Sequence, residues 1–189
     1  FLSFVNSSED GVVLGKGRFN QNDVRFNLDH QPMDNLKFSF SAYHSRSARQ
    51  ELYDDTFFDL INQAPDANLL VPDADGTPYI YQPDIEGREE NPLYVLSTED
   101  RQRNRARTQG SLGSRYTPFT WLTLDANISY DRSDRRLNFF LDQGVKTEGF
   151  ALGGPGEMSQ FSGTTNTINA EASANLLRKF GDVTLRSTG

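Results

Sequence analysis

Long stretches of the chain alternate strictly between apolar and polar residues. Val24-Arg25-Phe26-Asn27-Leu28-Asp29 begins the pattern, and Leu36-Lys37-Phe38-Ser39-Phe40-Ser41-Ala42-Tyr43 repeats it. Leu122-Thr123-Leu124-Asp125-Ala126-Asn127-Ile128-Ser129-Tyr130 and Ile168-Asn169-Ala170-Glu171-Ala172-Ser173-Ala174-Asn175-Leu176 follow, and Val183-Thr184-Leu185-Arg186 begins another run. A period of two sends successive side chains to opposite faces of a strand, so one face meets an apolar medium and the other a polar one. The pattern predicts antiparallel strands over about 20–29, 35–46, 104–116, 121–140 and 164–177, six or seven in all.

The segments between these runs come in two sizes. Residues 30–35, 117–120 and 178–182 are short and carry Pro, Gly, Asn or Asp, which suits tight turns. Residues 8–19, 47–103 and 141–163 are long. Short and long alternate, so in an antiparallel meander the short turns share one end and the long loops the other. Short turns on one side, long loops on the other and strands of 9–11 residues or more describe a transmembrane β-barrel of the bacterial outer membrane. The charges agree. Arg25, Asp29, Lys37, Arg103, Arg105, Arg107, Asp125 and Glu171 all fall on the polar parity, and Arg101 and Arg115 join them. A dry core would penalise such rows by several kcal/mol per unpaired charge, whereas a wet lumen does not. Tyr116, Phe119, Trp121 and Phe180 at the short turns fit an interfacial aromatic belt.

Composition narrows the choice further. The chain has 189 residues, with 35% hydrophobic, 14 Phe, 7 Tyr and one Trp. The mean hydropathy is -0.64. No run approaches the roughly 20 apolar residues of a membrane-spanning helix, and the aromatic content argues against a disordered chain. Cysteine is absent, which removes disulfides, thiol nucleophiles and Cys-zinc sites. The chain starts at Phe1 without a signal peptide and stops inside a strand-like run, so it reads as a piece of a longer protein.

The net charge of -7 is unevenly spread. Residues 51–100 hold 13 of the 26 acids against one base, Arg88. The same window holds Pro65, Pro72, Pro78, Pro83 and Pro92, so long regular structure is not expected there. Its aromatics Tyr53, Phe57, Phe58, Tyr79, Tyr81 and Tyr94 are the candidate ligand-facing residues, because aromatic faces with nearby polar groups suit sugars and peptides alike. Packing of the loop on itself competes with that reading.

Catalytic patterns are weak. His30 and His44 are the two histidines, and neither has a Ser or Cys partner at a recognisable spacing. Asp54-Asp55 and Glu89-Glu90 are chance pairs expected in so acidic a loop. Gly153-Gly154-Pro155-Gly156 lacks the Lys-Ser/Thr of a phosphate loop, and Pro155 removes an amide donor. Asp73-Ala74-Asp75-Gly76, with Asp66, Asp84 and Glu86 nearby, is a calcium candidate through Asp73 and Asp75, set against a plain turn. No other cofactor is expected and the chain is read as a non-enzyme. Negative net charge sets nucleic acid aside.

Four segments carry a family resemblance. Tyr116-Thr117-Pro118-Phe119-Thr120-Trp121-Leu122-Thr123-Leu124-Asp125 with Ile128-Ser129-Tyr130-Asp131 resembles a hairpin repeated in TonB-dependent outer-membrane receptors, as does Val24–Gln31 followed by Asn35–Phe38. Glu90-Asn91-Pro92-Leu93-Tyr94 and Phe4-Val5-Asn6 to Val13 are similar to the SusC/RagA-like branch. The resemblance implies part of a barrel of about 22 strands around a plug, in the bacterial outer membrane. It implies TonB-driven import of oligosaccharides or peptides and a SusD-like surface lipoprotein as lid. The chain matches neither the plug nor the TonB box. Two alternatives stand beside it: a soluble extracellular β-sandwich module binding carbohydrate or protein, and a siderophore-type receptor barrel.

Overall fold

Seven strands hydrogen-bond in chain order into one antiparallel sheet: β1 (Leu2–Glu9), β2 (Phe19–Met33), β3 (Leu36–Gln50), β4 (Glu99–Phe119), β5 (Leu122–Leu141), β6 (Glu157–Phe180) and β7 (Val183–Thr188). The computed structural model describes the chain except residues 14–15, 54, 64, 66–67, 73–75, 77–90, 147–151 and 181–182. Each strand pairs with the next, as alternation and turn placement predict. The sheet is not closed: β1 and β7 lie at its two edges. β7 pairs only with residues 175–180 of β6, leaving the rest of that long strand as an open edge.

The strands are longer and the connections shorter than predicted. β4 covers Glu99–Phe119 where 104–116 was expected, and β6 covers Glu157–Phe180 where 164–177 was expected. The long loops shrink to 10–18, 51–98 and 142–156, and the described tight turns to 34–35 and 120–121. The cause lies in side-chain chemistry. Ahead of Asn104, β4 runs through Glu99, Arg101 and Arg103 on one face and Asp100 and Gln102 on the other, whereas β5 keeps its predicted extent. A strand that is polar on both faces has no alternation to report, yet its backbone ladder continues unbroken.

Next to each described tight hairpin the register slips, between His30 and Met33 and between Tyr116 and Phe119. Each slip is a bulge that changes which face the residues beyond it occupy. Met33 thereby lies opposite Leu36, and Phe119 opposite Leu122. His30, expected in the turn, sits in β2 opposite Phe38.

The register sorts the two faces cleanly. One cross-strand row reads Leu28, Phe40, Leu112, Ile128, Ala170, and the next Phe26, Ala42, Gly110, Tyr130, Ile168. Toward the turns, Met33, Leu36, Tyr116, Leu124 and Ala174 form a third. These side chains are exposed or only half covered, with Ile128 at 50% and Ile168 at 69%. No second sheet or long helix packs on them among the described residues; the helices present, α1 (Thr56–Ile61) and α2 (Pro92–Thr98), belong to the 51–98 loop. The buried apolar core of the described residues is Tyr94, in that loop and not on the sheet.

The register has a direct test. Ser41 and Ser111 are Cα partners whose hydroxyls lie 2.8 Å apart. The pair Ser41→Cys and Ser111→Cys should cross-link on oxidation, since facing Cβ atoms at this spacing suit a disulfide. Ser41→Cys with Leu112→Cys should not, because Leu112 belongs to the other face. Equal cross-linking of both pairs, read on a non-reducing gel, would break the register.

Candidate functional site

The polar parity forms one continuous face. Arg25, Asp29, Lys37, Arg103, Arg105, Arg107, Asp125 and Glu171 all lie on it. The rows Arg25–Tyr43–Gln109–Asp131–Thr167, Asp29–Ser39–Gly113–Asn127–Glu171 and Lys37–Arg115–Asp125–Ser173 follow from the pairings. Two hollows open on it, of about 910 Å³ along Asp29, Lys37, Asp125 and Glu171, and about 430 Å³ along Arg25, Tyr43, Gln109 and Asp131. Of the charges named above, Arg107, Asp125 and Asp131 are half-buried and the others exposed.

Charge on this face is held by cross-strand pairs. Arg107 grips Asp131 through Nε at 3.1 Å and Nη2 at 2.5 Å, and the Gln109 amide donates to the same carboxylate at 3.0 Å. Arg115 Nε donates to Asp125 at 2.6 Å. Near the loops, Arg103 meets Glu51 at 2.7 Å and Arg101 meets Glu99 at 2.9 Å. The Arg25 guanidinium lies over the Tyr43 ring, 5.3 Å from its centroid. Two-pronged Arg–carboxylate contacts of the Arg107 kind fix side-chain direction as well as charge. Such a face offers hydrogen bonds and charge to whatever lies against it. His44 lies on the other face, exposed in the middle of β3, with Nδ1 2.9 Å from the Thr108 hydroxyl. Among the described residues no group of three or more His, Asp or Glu is placed to hold a metal.

The 51–98 loop gives its residues unequal roles. Phe57 and Phe58 on α1 are 54% and 61% exposed, open to a partner or ligand. Tyr53 is half-buried and donates its phenol hydrogen to the Asp59 carboxylate. Burial, and then the hydrogen bond to Asp59, push its pKa well above the ordinary tyrosine value. Tyr94, expected to face ligand, is instead buried at 5% exposure and accepts from the Lys146 amide at 2.9 Å, tying α2 to the 142–156 loop. The reason is α2 itself. Asn91 is fully buried at its N-cap, where its side chain accepts from the Leu93 amide and donates to the Leu69 carbonyl, and Pro92 supplies the first helical residue. That turn draws Tyr94 inward. Tyr79 and Tyr81, and the calcium candidates Asp73 and Asp75, lie outside the described residues.

Features that sequence reasoning missed are the two bulges and this buried capping cluster. The string Asn91-Pro92 was available as a helix-start signal.

Asn91→Ala should destabilise the loop by about 1–2 kcal/mol, because a buried carbonyl and a helix start both lose their partner. Hydrogen exchange should show faster exchange across 91–98 and near Lys146 with the strands unchanged. Uniform exchange rates across the variant and the parent would refute the cluster as the loop's anchor. No protein-family model matches the chain, and no curated protein matches it.

Proposed function

We propose that the chain forms part of the wall of a transmembrane β-barrel in the bacterial outer membrane. Its polar face lines the passage, and its long loops face the outside. The carrying observation is the apolar band that nothing among the described residues covers. From Leu122 to Tyr130 the band covers eight steps of about 3.4 Å, which at the usual strand tilt near 40° makes about 21 Å of height, close to the roughly 25 Å band of outer-membrane barrels.

Both rims of the band support the same reading. At the short-turn end Phe119 stacks on Trp121, with centroids 5.1 Å apart and planes 2° apart, and Arg178 lies 5.6 Å over the indole. Aromatic rings with a cation beside them suit the lipid–water interface. At the other rim Val24, His44, Thr108, Arg132 and Asn166 form the first largely polar row. A β-sandwich module needs a second apolar sheet against this face, and the described residues supply none.

Within barrels, the motifs at 24–38, 90–94 and 116–131 favour a TonB-dependent importer of the SusC/RagA-like kind. Cargo would be oligosaccharide or peptide, with a SusD-like lipoprotein over the loops. The work is binding and gating, without bond chemistry. A siderophore-type receptor would share the wall and differ in cargo.

Fractionation of cells expressing the full-length protein, with a boiled and unboiled gel of the membrane fraction, tests the barrel. A mobility shift in the outer-membrane fraction is expected; a soluble protein without a shift overturns the reading. Ile128→Arg should lower the amount of the unboiled, fast-running form, since a charge at mid-band costs about 2–4 kcal/mol. Asn127→Arg, one residue along on the polar face, should leave it unchanged.

A further inference from the structure

On the polar face Arg101, Arg103, Arg107 and Arg115 have carboxylate partners, whereas Arg25, Arg49, Arg105 and Arg135 have none among the described residues, and the last two face each other directly. Arg105 and Arg135 are direct cross-strand neighbours, and neither makes an ion pair or hydrogen bond among the described residues. Like charges directly opposite in an antiparallel pair destabilise the sheet. The surroundings add to the imbalance. Arg103 and Arg107 flank Arg105 on β4, and Arg49 faces Arg103. Asp131, within Coulombic reach of Arg105, is already engaged by Arg107 and Gln109.

A second observation comes from Ser133. Its hydroxyl is buried and has no hydrogen-bond partner. It lies opposite Arg107 and two residues before Arg135 on the same face. Buried hydroxyls are nearly always paired, and this one can donate. On the far side Arg135 pairs with Gly163, which has no side chain to cover it, and Arg105 and Arg135 are both exposed.

Two planar forks and a spare hydroxyl share a need for oxyanion acceptors. We infer that Arg105, Arg135 and Ser133 form an anion subsite on the long-loop side of the Tyr130 row, which receives a carboxylate- or sulfate-type group of an acidic cargo. The inference rests on the importer reading and sharpens it, since neutral oligosaccharides and peptides would leave the arginine pair unneutralised.

Titration calorimetry on the detergent-solubilised full-length protein tests it with four probes. Tetragalacturonate and maltotetraose form the sugar arm; tetraglutamate and tetraglycine form the peptide arm. One acidic probe should bind about tenfold or more tightly than its neutral counterpart at low salt. The double variant R105Q/R135Q should lose that preference. Arg136→Gln, on the opposite face of the same strand, should keep it. The arm that shows the preference names the cargo class. No preference in either arm, or a preference that survives R105Q/R135Q, overturns the subsite. The boiled and unboiled gel separates the two ideas: a mobility shift without an anion preference refutes the subsite and leaves the barrel standing, whereas a preference abolished by R105Q/R135Q supports the subsite even where no shift is seen.

Discussion

Everything in this molecule depends on one ladder of backbone hydrogen bonds whose two sides carry opposite chemistry, one apolar and one polar. The ladder satisfies the amides and carbonyls between neighbouring strands, and among the described residues no packed core on either face of the sheet shares the task. Side chains therefore do not hold the strands together by burial in the usual way. They state which medium each face must meet. The apolar side carries Phe, Leu, Ile and Ala in rows that no part of the described chain covers. The polar side carries ions that water or one another must satisfy. Water on both sides would leave the first side exposed; protein on both sides would strand the second.

That division explains what could be read from the residues and what could not. Strand existence, order and the assignment of Arg25, Lys37, Asp125 and Glu171 to one face followed from parity alone. Strand ends did not, because parity carries information only where the two media differ. Asp100 and Gln102 are polar neighbours of the polar Arg101 and Arg103, so the start of β4 at Glu99 is silent in the sequence, whereas β5, read over 121–140, runs Leu122–Leu141. The bulges beside Met33 and Phe119 were hidden for a related reason: a slip of one residue alters geometry without altering composition. Tyr94 was misjudged through its company. An aromatic in an acidic loop resembles a ligand contact until the Asn91 cap turns it inward.

The polar face shows how a β-sheet manages dense charge. Arg107–Asp131 and Arg115–Asp125 neutralise each other across β4 and β5, and partly solvated pairs of this kind add little stability in themselves. They mainly set direction, holding guanidinium planes and carboxylates in a fixed pattern along the hollow. Against that background Arg105 directly opposite Arg135 is a like-charged pair without a carboxylate of its own among the described residues. The pattern of charge was visible in the sequence as an arginine repeat; which arginine lacked a carboxylate became visible only through the register.

The insertion between β3 and β4 also bears on how the sheet assembles. Within β2–β3 and β4–β5 the strands meet across two-residue turns, so those hairpins can zip from contacts close in sequence. Joining β3 to β4 requires closure of about 48 residues, which adds about 3 kcal/mol of loop entropy over a two-residue connection. The β3–β4 seam thus divides the chain into two kinetic halves. Loop entropy orders its pairing after those of the β2–β3 and β4–β5 hairpins.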